Sequence, residues 1–128
     1  MRYVLHGART VDATMDRGAA TLVVADGQIQ PPEIQEVVPE QHIDAAGMII
    51  TPGFIDVHTH GGGGCNLHTT WVEEILTYAR WAPSTGVTGF LIGVVGTPGD
   101  LPEAQLRTAA RALAEWRTGA EPLGIHLE

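Results

Sequence analysis

Between Gly86 and Val95 the chain reads Gly-Val-Thr-Gly-Phe-Leu-Ile-Gly-Val-Val, ten residues without a charge. The run falls well short of the ~20 apolar residues that span a bilayer. It offers no polar face to water, so it fits a strand of a parallel sheet covered on both sides. Parallel neighbours need crossover connections, usually helices, and both flanks carry helical patterns. Upstream, Thr70 and Glu73 form a capping box, Val72, Ile75, Leu76 and Ala79 share one helical face, and Pro83 ends the helix. Downstream, Asp100 with Glu103 starts a second helix whose core face is Leu106, Ala109, Ala110, Leu113 and Trp116, stopped by Gly119. A strand from Thr51 leads into the first helix, and Pro122 to Glu128 is a strand after the second. Strand, helix, strand, helix, strand is the grammar of a parallel α/β fold.

Residues 1–50 follow a different pattern. Tyr3-Val4-Leu5 and Thr21 to Ala25 read as strands, and Asp26-Gly27 is a hairpin turn signal before the return strand Gln28 to Gln30. Pro31-Pro32 stops that strand. Glu36-Val37-Val38 and His42-Ile43-Asp44 are weaker strands, and Gly47 turns the chain into Met48-Ile49-Ile50. The chain therefore divides into a β segment, 1–50, and an α/β segment, 51–128.

The chemistry gathers where the first α/β strand ends. His58 and His60 stand two apart, ahead of the glycine run Gly61 to Gly64. Residues i and i+2 of a strand share a face, with Cα atoms ~6.6 Å apart, so both imidazoles can converge on one metal ion at ~2.1 Å. Asp56 shares that face by the same alternation and is expected to support the pair. On the last strand, His126 and Glu128 share a face, and strand C-termini are where parallel barrels place their sites. Cys65 reads as a small hydrophobe. His6, His42 and His68 have no partner pattern and are expected at the surface, and the Met and Trp residues read as packing.

Composition narrows the partners. The formal net charge is −8, and all seven basic residues are arginine, which argues against nucleic acid or an anionic membrane. The N-terminus lacks the apolar core of a secretory signal, and the single cysteine forms no internal disulfide. Both point to the cytoplasm.

Pro52-Gly53-Phe54-Ile55-Asp56-Val57-His58-Thr59-His60-Gly61 resembles the first barrel strand of the amidohydrolase superfamily, where such a pair binds a catalytic divalent metal. Ile43-Asp44-Ala45-Ala46-Gly47 is similar to the end of the small β-sandwich that precedes that barrel. Gly124-Ile125-His126-Leu127-Glu128 resembles the third barrel strand of the N-acetylglucosamine-6-phosphate deacetylases, whose glutamate is a metal ligand. The resemblance implies about three βα units of a metal-dependent TIM barrel after an incomplete sandwich, the N-terminal part of a longer protein. It implies His58, His60 and Glu128 as ligands of a divalent metal, zinc first, one or two ions, with Asp56 and His126 behind them. The implied reaction is deacetylation of N-acetylglucosamine 6-phosphate, a small-molecule amino sugar phosphate, with the general acid/base expected beyond Glu128 and a homo-oligomeric enzyme. A sequence without lysine cannot supply the carbamylated-lysine bridge that some members use. Gly93 and Gly96 stand where relatives are expected to carry bulkier or hydroxyl-bearing residues. Two alternatives stay open: another amidohydrolase, acting on a different amide or a cyclic ureide, and a non-catalytic truncated product with residual metal binding.

Overall fold

A computed structural model describes residues 2–31 and 41–128. The expected strand at Glu36–Val38 and the stop at Pro32 lie outside the described residues. Two compact units are present, Met1–Pro52 and Gly53–Glu128.

The first unit is built on β1 (Arg2–Val11) and β2 (Asp16–Ala25), an antiparallel hairpin longer than the sequence pattern suggests. Asp12 makes its turn. Its Oδ1 accepts hydrogen bonds from Thr14 Oγ1, Thr14 N and Met15 N at 2.7, 2.8 and 2.9 Å. Those bonds, the Thr14 hydroxyl foremost, hold the Asp12 carboxyl below its ordinary range. Asp26 and Gly27, at φ 51° and 76°, turn β2 back into β3 (Gln28–Ile29), as a two-residue hairpin of the primed type requires. Next, β4 (Gln41–Asp44) and β5 (Ile49–Ile50) run parallel to β1, giving the sheet order β3-β2-β1-β4, with β5 also on β1. Among the described residues this unit is one sheet. Its His6 and His42 are exposed but not solitary: Nε2 of one lies 3.1 Å from Nδ1 of the other.

The second unit is the parallel α/β segment. β6 (Phe54–Thr59), β9 (Val87–Val94) and β10 (Glu121–Leu127) form a parallel sheet with β9 in the middle. Between β6 and β9 come the short hairpin β7 (Gly61–Gly62) and β8 (Cys65–Asn66), then α1 (Val72–Trp81); α2 (Glu103–Glu115) links β9 to β10. The long apolar run is the centre of the sheet for the reason its composition suggests. Phe90, Ile92 and Val94 are fully buried against the helices, in one core with Leu67, Ile75, Tyr78, Ala79, Ala109 and Ala112. Tyr78 meets Phe90 edge-on, ring centroids 4.8 Å apart, a favoured aromatic geometry.

The helix starts differ from expectation. α1 has Trp71 at its N-cap and α2 has Pro102, neither with a side-chain cap bond. Glu73 instead pairs with Arg80, and Asp100 bridges back to Thr97. On α2 the buried positions are Thr108, Ala109 and Ala112, while Ala110 is exposed. Trp71 is 74% exposed and so is not packing. Among the described residues no helix is long and apolar enough to cross a membrane.

Candidate metal centre

His58 and His60 present their imidazoles at the end of β6, and Glu128 stands just past β10. His60 Nε2 lies 3.0 Å from Glu128 Oε1 and His58 Nε2 3.2 Å from Glu128 Oε2. Each ring thus meets its own carboxylate oxygen. The three ligand atoms lie within 4.8 Å of one another, and the two rings stand nearly perpendicular, 77° apart. Two donors each ~2.1 Å from one ion, at coordination angles of ~90–110°, are ~3.0–3.4 Å apart. The residues present fit a metal: two imidazole nitrogens and a carboxylate, half open to solvent.

Both residues expected behind the ligands touch His58. Asp56 Oδ1 accepts the His58 backbone N–H at 3.2 Å, which holds the main chain at that point. His126 packs its ring on the His58 ring, centroids 4.7 Å apart and planes 42° apart. Glu128 is tied into the sheet by its backbone: its N–H donates to Val94 O (3.1 Å) and its carbonyl accepts from Gly96 N (2.5 Å).

The loop after His60 is held by residues that periodicity does not single out. Leu67 N donates to His60 O at 2.9 Å. Glu74, from α1, accepts Thr69 Oγ1–H at 2.6 Å and Asn66 N–H at 2.9 Å. These bonds, Thr69 first, hold its carboxyl below the ordinary range. His68 is half-buried, a correction to its expected surface position, and its Nδ1 accepts the N–H of Val95 at 3.1 Å. The neutral ring therefore carries its proton on Nε2. Under the ligands, the buried Thr59 hydroxyl lies 3.4 Å from the Tyr78 hydroxyl. Cys65 is partly buried against the core, in keeping with its reading as a small hydrophobe.

A family model described as "Amidohydrolase family" matches residues 49–128, more than half of the chain and all three site residues. The chain belongs to the amidohydrolase family. Among curated relatives of this amidohydrolase chain, the N-acetylglucosamine-6-phosphate deacetylase of Vibrio furnissii is 30% identical over 128 residues, covering 98% of this chain and 30% of the relative. A dihydroorotase of Aquifex aeolicus is 32% identical over 67% of this chain and 19% of its own length. Among solved structures, the N-acetylglucosamine-6-phosphate deacetylase of Pasteurella multocida superposes with a TM-score of 0.79 at 25% identity, over 99% of this chain and 34% of that one. The chain thus spans about a third of the length of the deacetylases it matches, and its mixed α/β architecture is that of their N-terminal region. Amidohydrolases are generally metal-dependent, in agreement with the donor set at the end of β6.

Proposed function

We propose that this chain is the N-terminal portion of an N-acetylglucosamine-6-phosphate deacetylase, which hydrolyses that sugar phosphate to glucosamine 6-phosphate and acetate. In this reading β6, β9 and β10 are the first three strands of a (β/α)8 barrel, and the β1–β5 sheet is one layer of a sandwich. The observation that carries it is Glu128, which reaches the His58–His60 pair from the end of β10. That glutamate closes the Gly-Ile-His-Leu-Glu stretch that sets the deacetylases apart, and so favours them over a ureide-cleaving member such as the dihydroorotase relative.

His58 and His60 would hold a divalent cation through Nε2 and Glu128 through its carboxylate, with zinc the metal of choice for such a set and one or two ions in the intact site. Once bound, the cation supplies a water of lowered pKa and polarises the amide carbonyl. The chain's own residues do the positioning. Glu128 offsets cationic charge, Asp56 fixes the backbone of His58, and His126 backs its ring. The general acid/base is assigned to a residue following Glu128, so residues 1–128 alone are expected to be inactive, as general acid–base catalysis is worth roughly 10²–10⁴-fold. A cytoplasmic homo-oligomer acting on an amino sugar phosphate completes the proposal.

A chimera tests it: these 128 residues in place of the matching first third of the Vibrio furnissii deacetylase. It should bind about one zinc or more and release acetate from N-acetylglucosamine 6-phosphate, and His58→Ala with His60→Ala should abolish both. A folded, zinc-loaded chimera that leaves this substrate intact but opens a cyclic ureide would move the assignment to the other branch of the family. A folded chimera that binds zinc but hydrolyses neither substrate would leave the non-catalytic reading with its residual metal binding.

A further inference from the structure

The site poses a geometric difficulty that β9 resolves. Its ligands come from β6 and from the end of β10, which are not neighbours, because β9 lies between them. Two strand spacings of ~4.8 Å separate such strands by almost 10 Å, yet His60 and Glu128 touch at 3.0 Å. Histidine and glutamate side chains reaching from both sides can close that gap when the end of β6 sits close over β9, as it does at Gly93. The pairing shows where: the register between β6 and β9 shifts between Asp56 and Thr59, and Thr59 then pairs with Ile92.

Beside Ile92 stands Gly93. Phe90, Ile92 and Val94 point to the helices, so by alternation Gly93 faces the side that carries the ligands. A β-carbon on Gly93 would lie 2.2 Å from the carbonyl oxygen of Thr59 and 3.4 Å from Nδ1 of His60. The first distance is far inside contact, and its partner is backbone that cannot rotate away. Thr59 is pinned from its other side, buried at 9% exposure with its hydroxyl near Tyr78, so the strand end has little room to retreat.

We propose that Gly93 is a positioning residue of the metal centre: it leaves empty the volume through which the end of β6 crosses β9 to bring His60 to Glu128. β9 supplies none of the three ligands, yet the side chain it lacks at Gly93 sets their separation. The inference rests on the reading of His58, His60 and Glu128 as metal ligands. One of the two glycines that stand where relatives are expected to carry bulkier residues is thereby given a role in ligand geometry.

The test is cobalt binding by the whole chain, read from the visible d–d spectrum and by titration, in four forms: wild type, Gly93→Ala, Gly89→Ala and Glu128→Ala. Gly89 lies on the same strand and face, but its added carbon would meet the movable Leu123 side chain at 2.9 Å. Gly93→Ala should keep the wild-type circular dichroism yet lose affinity by ~10–100-fold, as supporting residues of metal sites typically do, with an altered spectrum. Gly89→Ala should match wild type in spectrum and affinity. Wild-type binding in Gly93→Ala, or an equal loss in Gly89→Ala, would overturn the role of Gly93 while leaving the ligand assignment standing. Unchanged binding in Glu128→Ala would instead sink the ligand assignment itself. If Gly93→Ala does not fold on its own, the same substitution carried in the deacetylase chimera should fold and bind cobalt ~10–100-fold more weakly than the chimera with Gly93; equal binding by the two chimeras would refute the proposal.

Discussion

Asn66 and Thr69 both donate to the carboxylate of Glu74, and these bonds favour the anion. A carboxyl depressed in the folded state contributes stability that is present above its unfolded pKa and lost as pH falls through the folded value. The loop between His60 and α1 is therefore expected to stay ordered through neutral pH and to loosen only as pH falls below the ordinary glutamate range. Faster amide exchange at Asn66 and Leu67 would report it, and Glu74→Gln should show the same loosening at pH 7. A second residue-scale expectation concerns His126. Its contact with His58 is ring on ring, so His126→Phe should keep zinc affinity, whereas His126→Ala should lower it ~10-fold by titration calorimetry. His58 and His60 could be read from sequence because two-residue spacing maps directly onto a strand face. Glu74 and His68 could not: their partners, Asn66 and Val95, lie 8 and 27 residues away, at no regular period.

Among the elements, β9 and its helices follow from apolar pattern, and their ends do not. Phe90 is fully buried, with Tyr78 edge-on to it, so Phe90→Ala should cost about 3–5 kcal/mol, measured as a lower urea midpoint at constant slope. The capping boxes expected at Thr70–Glu73 and Asp100–Glu103 do not form: the Glu73 carboxylate pairs with Arg80 and that of Glu103 with Arg107, while Asp100 is held in a backbone bridge with Thr97. The β1–β2 hairpin was hidden for a related reason. Its turn, Asp12 to Met15, has no glycine or proline and is built by an aspartate collecting three hydrogen bonds, a signal that many unstructured aspartates share. Where a turn does need positive φ, at Asp26-Gly27, sequence and structure agree.

For the molecule as a whole, the two units meet different demands. The Gly53–Glu128 unit carries the site and a core of mainly aliphatic and aromatic residues, and a cation that binds it should stabilise it by mass action. Zinc at 100 times its Kd is expected to add about 2.7 kcal/mol, a gain that His58→Ala with His60→Ala should remove in a melting experiment. The convergence of Glu128 on the histidine pair also has a consequence in time. Glu128 lies 68 residues beyond His60 in sequence, so their meeting closes a long loop and must follow the docking of β9 between them. A cation held there acts on a contact made late. In a chevron experiment zinc should leave the folding limb where it was and slow the unfolding limb, as expected of an interaction absent from the transition state. The metal would then govern how long the assembled sheet survives, and not how quickly it forms.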